Sequence, residues 1–196
     1  MKKVLLLIVL LFLSLSTAAQ FGFKKAKIYL KDGTTQTGFA KIKFLDSKIK
    51  FKANKKDDAK TYSYIQLEKF IIDGIAYDYK ITTKSSAIEI FRVKQRGKVS
   101  LYYHIKSNPG APMGGTPGGI SVNITTSTEV YYIAKNDDDK LTKLFNLFGP
   151  SKKVFKKIVP KFFGDCPDLL DKIDYKEYRK GDIVEIVNFY NLKCSK

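Results

Sequence analysis

The sequence is poor in the residue types that catalytic and nucleic-acid-binding sites most often use. It has one histidine, His104, and only three arginines, so that 33 of its 36 basic residues are lysines. Because arginine is favoured for bidentate contacts to phosphates and bases, its scarcity argues against a nucleic-acid-binding function. No catalytic or cofactor motif is present. The sequence therefore predicts no catalytic residue and no cofactor.

Cysteine is also scarce, with one residue at Cys166 and one at Cys194. Together with a single histidine they cannot supply four tetrahedral zinc ligands, so no metal site is predicted. In an exported protein an even pair of cysteines is first interpreted as a disulfide. If the helices predicted near residues 166–173 and 182–193 are antiparallel, they bring these two cysteines together. A redox-active thiol at Cys166, near a helix start, is the alternative.

The first twenty residues have the pattern of a secretory signal peptide. Lys2 and Lys3 precede an apolar run at residues 4–15, and small residues follow at 17–19. A retained membrane anchor is the alternative, but a spanning helix needs about 20 apolar residues. We therefore predict a signal peptide at 1–19 and no transmembrane helix in the mature chain. The protein would be periplasmic, outer-membrane-associated or secreted.

Positive charge is the strongest compositional bias. Removing the leader leaves 34 basic side chains against 19 acidic ones, a net charge of +15. Such a charge favours contact with anionic lipid or polysaccharide, although lysines on the wet face of a sheet would produce the same composition. A predicted helix at 151–163 has an apolar stripe opposite a basic one, typical of helices that lie on anionic membranes. Its lysines are the candidate contacts: Lys152, Lys153, Lys156 and Lys157.

Alternation of apolar and polar residues dominates positions 24–134 and predicts strands. Asp32-Gly33 and Asp73-Gly74 are hairpin signals within it. In the strand at 99–105, alternation places Tyr103 inward and both Tyr102 and His104 outward. Strands with one wet face belong to antiparallel sheets. We therefore predict an antiparallel β domain at 20–136.

A Gly- and Pro-rich stretch at 107–119 interrupts the strands and predicts a long hairpin loop. It lacks the spacing of a phosphate-binding loop and no helix follows it, so the signal for a phosphate site is very weak. Plain disorder is favoured, and a mobile binding loop is the alternative.

The periodicity becomes helical from residue 137 to the C-terminus. Leu141, Leu144, Phe145 and Phe148 recur at helical spacing. Further helices are predicted at 151–163, where Pro160 should bend or end the helix, after a cap at Asp165, and after a capping box at Asp182. The fold class is therefore α+β. An antiparallel β-rich sheet, as a partial barrel or sandwich, precedes C-terminal helices at 137–196 that pack on it.

Five short segments stand out together: two turns, one strand and two cysteine-containing stretches. They are Lys31-Asp32-Gly33, Ile72-Asp73-Gly74, residues 99–103, Asp165-Cys166-Pro167-Asp168-Leu169 and Tyr190-Asn191-Leu192-Lys193-Cys194. Together they resemble a group of uncharacterised exported bacterial proteins, over most of the mature chain. The resemblance implies a bacterial envelope or secreted setting. It implies no activity and no site residue.

These observations favour an exported, non-enzymatic binding or structural module of the bacterial envelope, with a partner that the sequence does not identify. Two alternatives stay open. The chain could bind anionic lipid or polysaccharide peripherally through its lysines, or it could be a hydrolase that uses carboxylates such as Asp73, Asp78 or Glu89.

Overall fold

The computed structural model describes residues 22–108, 126–145 and 152–194. Some sequence predictions fall wholly or partly outside these residues. They include the signal peptide at 1–19, all but the first two residues of the Gly- and Pro-rich loop at 107–119, and residues 146–148 of the helix predicted from Leu141.

The chain divides into two compact units, Met1–Gly74 and Ile75–Lys196. Each is described below by itself. Among the described residues, no helix is long and apolar enough to cross a membrane.

The first unit is an antiparallel sheet of five strands in the order β5-β1-β2-β3-β4. The strands are β1 (Lys24–Leu30), β2 (Thr35–Lys43), β3 (Lys48–Lys52), β4 (Lys60–Ser63) and β5 (Leu67–Ile72). At the β1–β2 turn Gly33 has a φ of 85°, and Asp32 accepts hydrogen bonds from the backbone and hydroxyl of Thr34. The hairpin predicted from Asp32-Gly33 is confirmed.

Alternate side chains of these strands form the core of the first unit. They are Ala26, Ile28, Ala40, Ile49, Phe51, Leu67, Phe70 and Ile72. Gly38 permits the close approach of β2 and β3, because a Cβ at this position would collide with the backbone oxygen of Lys52. The period-two pattern of the sequence therefore places one face of the sheet inward and the other in solvent.

The second unit contains a closed five-stranded barrel. Its strands are β6 (Ile75–Thr82), β7 (Ser85–Gln95), β8 (Val99–Asn108), β9 (Thr126–Lys135) and β10 (Lys140–Phe145). Consecutive strands pair antiparallel, and β10 closes the barrel by pairing in parallel with β6. The α+β class is confirmed, since a mostly antiparallel β-rich structure precedes C-terminal helices.

The helix predicted to start at Leu141 is wrong for residues 141–145, because these residues belong to strand β10. Leu141 and Leu144 are both buried, at a spacing that suits one helical turn. Leu141 lies in the barrel interior with Phe91 and Tyr132, and Leu144 lies on the opposite face of the strand, beneath the C-terminal helices. Residues three positions apart on a strand point to opposite faces, so both are buried because both faces of β10 are covered.

Strand β8 is covered on both faces, which corrects the predicted orientation of Tyr102. Tyr102 lies inside the barrel with Phe91 and Tyr132, and His104 packs against the Phe91 ring at a centroid distance of 5.7 Å. Val99 and Leu101 point to the opposite side, beneath the C-terminal helices. The sequence pattern showed the alternation but not that both faces are buried.

Three helices and a π-helical turn pack on the outside of this barrel. They are α1 (Lys152–Phe163), α2 (Pro167–Asp174), α3 (Ile183–Phe189) and the turn Tyr190–Cys194. Their buried side chains form one core with Val99, Leu101, Ile133 and Leu144 of the strands. The predicted helices are confirmed in this region, although α1 continues past Pro160 to Phe163. Asp182 is the N-cap residue of α3, but the predicted capping box is wrong, because its side chain makes no capping hydrogen bond and accepts instead from the Arg179 backbone N–H.

Candidate functional site

The outward side of strands β1, β2 and β3 is lined with lysines. These residues alternate with the buried side chains of Ile28, Ala40 and Ile49. We call this surface the lysine face: Lys25, Lys27, Lys41, Lys43, Lys48, Lys50 and Lys52. No outward position of these three strands carries a carboxylate. The outward positions of these strands therefore contribute positive charge and no negative charge.

Strand register places lysines of this face directly opposite one another. Lys41 pairs with Lys50 and Lys43 with Lys48 across β2 and β3. Like charges at opposed positions destabilise a sheet, by up to about 1 kcal/mol per pair. Lys43 is partly compensated by Asp46, at 3.8 Å, whereas Lys50 stands between Lys41 and the uncharged Thr61. A bound polyanion would relieve this repulsion.

Aromatic rings lie beneath several ammonium groups of the lysine face. The Nζ atoms of Lys41 and Lys52 lie 5.0 and 5.2 Å from the centre of the Phe23 ring. Lys27 and the neighbouring Lys69 of β5 share Tyr29, at 5.1 and 5.4 Å. Such contacts attract the cation to the ring face and favour fewer side-chain conformations. The ammonium groups are thus partly ordered before any ligand binds.

The carboxylates of the first unit lie around this face. Residues 22–74 contain 13 lysines and six carboxylates. Asp73 pairs with Lys24 at the start of β1, and Glu68 contacts Lys69 on β5 at 3.1 Å. Asp32 is bound to Thr34 within its turn, which lowers the pKa of its carboxyl. The acids are therefore in turns and at strand ends, and the lysine face stays cationic.

The four lysines singled out from the sequence belong to helix α1 of the second unit. Lys152, Lys153, Lys156 and Lys157 are all exposed. The apolar side of this helix packs into the core through Ile158, Phe162 and Phe163, with Val154 and Phe155 half-buried against it. Because that side is covered by the barrel, α1 offers its lysines but not an apolar surface for insertion into a membrane.

The cysteine pair is brought together as the sequence predicted. The sulfur atoms of Cys166 and Cys194 lie at disulfide distance, and their Cα atoms are 5.6 Å apart, within the range that a disulfide requires. Cys166 precedes helix α2 and is buried, and Cys194 is the last residue of the π-helical turn Tyr190–Cys194. Neither cysteine of the described chain is free, which does not favour the redox-thiol alternative.

Asp165, next to this pair, joins the helices to the barrel. Lys135 at the end of β9 contacts both carboxylate oxygens at 3.1 Å, and the Tyr190 hydroxyl donates to them at 3.0 and 2.9 Å. Lys98 lies 3.6 Å away. The sequence indicated Asp165 as a helix cap, which is wrong, because the N-cap residue of α2 is Cys166. The ion-pair role of Asp165 had no local signal, since residues 98 and 135 become its neighbours only in the folded barrel.

This cluster predicts a pH dependence of stability. Desolvation opposes ionisation of Asp165, but the hydrogen bonds from Lys135 and Tyr190 outweigh it and lower its pKa from 3.8 to about 2. A carboxyl whose pKa is lowered in the folded state stabilises that state at pH values above its unfolded-state pKa. This contribution is lost as the pH falls from about 4 to about 2. We expect Asp165→Asn to lower stability at neutral pH and to remove this acid-dependent loss.

Urea unfolding of the wild type and Asp165→Asn between neutral pH and pH 2 measures this pH dependence of stability. Asp171→Asn is the control, because it removes one exposed charge of helix α2. Wild-type and Asp165→Asn curves that stay parallel across this pH interval would contradict the assignment.

A second polar cluster lies within the barrel. Arg96 Nη2 donates to Asp78 Oδ1 at 2.6 Å, and the Tyr102 hydroxyl is 3.3 Å from Asp78 Oδ2. Burial, together with the Asp78 charge, raises the pKa of Tyr102, and Asp78 raises the pKa of Arg96. Both Asp78 oxygens therefore accept hydrogen bonds, and the ion pair with Arg96 compensates the buried negative charge of Asp78.

The hydrolase alternative gains no support from this arrangement. Asp78 is held by Arg96 and Tyr102, and Asp73 by Lys24. Among the described residues, no three His, Cys, Asp or Glu side chains are grouped so that they could hold a metal ion.

Comparison with known proteins does not assign this chain. It matches no protein-family model, and no curated protein or solved structure matches it.

Proposed function

We propose that this chain is an exported, non-enzymatic binding module that contacts polyanions through the lysine face of its first unit. The main observation in support is that Lys41 lies opposite Lys50, and Lys43 opposite Lys48, in the pairing of β2 with β3. A sheet gains nothing in stability from two such pairs. A ligand with closely spaced negative charges removes the repulsion and gains the attraction of the whole face.

The spacing of the face suits a repeating anion. Lysines two residues apart on a strand are about 6.6 Å apart, and neighbouring strands are about 4.8 Å apart. Charges at this spacing match the density of phosphate, sulfate or carboxylate groups on an envelope polymer or lipid surface. The scarcity of arginine continues to argue against nucleic acid.

The cellular setting is part of the same proposal. It rests on the signal-peptide pattern at 1–19, on the resemblance to exported bacterial proteins, and on the cysteine pair at disulfide distance. Disulfides persist outside the reducing cytosol, and the pair is compatible with a periplasmic or secreted protein.

Charge reversal at Lys50 separates stability from binding. In Lys50→Glu the repulsion from Lys41 becomes an attraction, so we expect the free energy of unfolding to rise by up to about 1 kcal/mol. We expect polyanion binding to weaken at least about fivefold, since one lysine near an anionic surface contributes about 1 kcal/mol. Denaturant unfolding measures the first effect, and the salt concentration that elutes the protein from an immobilised sulfated polysaccharide measures the second.

Lys156→Glu is the matched control, because it makes the same charge change on an exposed residue of helix α1. It should leave both measurements near those of the wild type. If Lys156→Glu weakens retention and Lys50→Glu does not, the lysines of α1 carry binding and the lysine face does not.

A further inference from the structure

Two neighbouring turns of the first unit display apolar side chains in solvent. Of six exposed large hydrophobic residues in the described chain, four are in these turns. Leu45 is fully exposed and Ile65 is 65% exposed, while Phe44 and Tyr64 are 47% and 41% exposed. We call these four residues the apolar tip. The apolar surface that these side chains expose to water has a free-energy cost, which is largest for Leu45 and Ile65.

Strand register places the two turns at the same end of the sheet. Lys43 of β2 is opposite Lys48 of β3, which is opposite Ser63 of β4. The chain leaves Lys43 into the turn that carries Phe44 and Leu45, and leaves Ser63 into the turn that carries Tyr64 and Ile65. The two turns therefore start about 10 Å apart, two strand spacings.

Each turn is built so that its apolar side chains lie at its apex. The first is a 3₁₀ turn, Phe44–Asp46, closed by Ser47, which has a φ of 46° and donates from its backbone to the Phe44 carbonyl. In the second, the Gln66 side chain folds back to accept hydrogen bonds from the Ser63 backbone and hydroxyl. The Ser47 N–H and the Gln66 amide oxygen are thus hydrogen-bonded within the turns.

We propose that the apolar tip inserts into the interface of an anionic lipid bilayer. This deepens the proposed function, on which it rests, by naming a lipid surface as the polyanion. The argument is complementarity: Lys43 and Lys48 flank the point where the first turn leaves the sheet, and the remaining lysine face continues from them. When aliphatic and aromatic side chains lie at the headgroup boundary, these ammonium groups lie beside the phosphates.

The shape and size of the tip favour a bilayer over a folded protein partner. Four side chains on two protruding turns form no groove, and a stable protein interface needs about 800 Å² on each partner. A fluid interface accepts a small convex apolar surface, and it favours aromatic and lysine residues at its boundary.

Tryptophan fluorescence can report insertion directly, because the chain contains no tryptophan. The full chain is expressed with Leu45→Trp, and the exported form is purified. On adding vesicles of equal parts phosphatidylcholine and phosphatidylglycerol, we expect the emission to shift to shorter wavelength and to be quenched by lipids brominated on the acyl chain. Leu192→Trp, at a residue 62% exposed in the second unit, should show neither change.

Removing the tip tests its contribution to affinity. We expect the double variant Leu45→Ser with Ile65→Ser to partition into these vesicles at least about tenfold more weakly than the wild type. Its retention on the sulfated polysaccharide should be unchanged, because the lysine face is intact. Leu192→Ser is the matched control and should bind vesicles as the wild type does.

The outcomes separate the two proposals. Insertion of the apolar tip is overturned if the double variant binds vesicles as strongly as the wild type. It is also overturned if the vesicle-bound Leu45→Trp variant shows no spectral shift. Either result leaves the proposal for the lysine face standing. If Lys50→Glu keeps full retention on the polysaccharide, the proposed function fails, and the spectral shift then decides whether the tip binds lipid alone.

Discussion

Replacing Cys166 and Cys194 together by alanine is expected to lower the free energy of unfolding by about 3 kcal/mol. The two residues are 28 positions apart and enclose helices α2 and α3. Closing a loop of this length removes conformational freedom from the unfolded chain, which corresponds to about 3 to 4 kcal/mol in the chain-entropy account. Cys166 is also buried in the core beneath the helices, so alanine leaves unfilled volume there.

Chemical unfolding with and without reductant checks this expectation. Reduction should destabilise the wild-type protein by about as much as the double substitution and should not change the double variant. The mass of the reductant-treated protein shows whether the cysteines are reduced. If they are, and the unfolding transition of the wild type is unchanged, the disulfide does not stabilise the fold.

Replacing Asn191 by alanine is expected to destabilise the second unit by about 2 to 4 kcal/mol. Its Nδ2 donates to the Val99 carbonyl at 2.7 Å, and its Oδ1 accepts from the Val99 backbone N–H at 3.0 Å. Val99 is completely buried, and the β7–β8 pairing begins only at Gln95 opposite Leu101. Without Asn191 two buried backbone groups lose their partner, at about 1 to 3 kcal/mol each.

Two further variants distinguish this account from a general effect of altering the C-terminal segment. Asn188→Ala removes only an exposed side-chain hydrogen bond to Gln95 and should cost well under about 1 kcal/mol. Gly97→Ala should reproduce much of the loss, because a Cβ at Gly97 would collide with the Asn191 amide. Equal denaturation midpoints for Asn191→Ala and Asn188→Ala would show that Asn191 does not hold the start of β8.

These stabilising contacts and the proposed binding surfaces lie in different units of the chain. Cys166 and Asn191 belong to the second unit, and the lysine face and apolar tip to the first. The two sets of variants therefore need different measurements. Denaturation tests the former, and retention on polyanions or vesicles tests the latter.

The charge of the lysine face was predictable from the sequence, but the pairing of its residues was not. Alternation at positions such as Lys41, Ile42 and Lys43 is enough to predict strands with a lysine-bearing outer face, because successive side chains of a strand point to opposite sides. It does not reveal that Lys41 faces Lys50, since a one-residue shift in register would change every pairing. The charge was therefore predictable, while the opposed lysine pairs were not.

The amphipathic pattern of helix α1 predicts a membrane-contacting surface in a part of the chain different from the apolar tip. The basic stripe at Lys152 and Lys156 resembles that of a membrane-surface helix, and the sequence cannot show what covers the other side. The structure shows Ile158 and Phe162 buried against the barrel. The exposed apolar residues are instead Leu45 and Ile65, isolated in turns where no periodicity marks them.

Strand β10 illustrates the same limit within the fold. Leu141 and Leu144 are three positions apart, which local periodicity assigns to a helix. Both residues are buried in the strand because the barrel interior covers Leu141 and the C-terminal helices cover Leu144, and closure of the barrel depends on pairing with β6, a strand much earlier in the sequence. Contacts so distant along the chain leave no local signal.

By itself, the sequence of this protein determined the α+β class, the hairpin at Asp32-Gly33, the lysine-bearing strands and the pairing of Cys166 with Cys194, because these depend on local alternation, turn chemistry and a single possible pair of cysteines. Only the tertiary structure decided the closed barrel, the Asp165 cluster, the attachment of Asn191 to Val99 and the opposed lysines. Each of these depends on strand register or on contacts between distant segments, which local residue preferences do not specify.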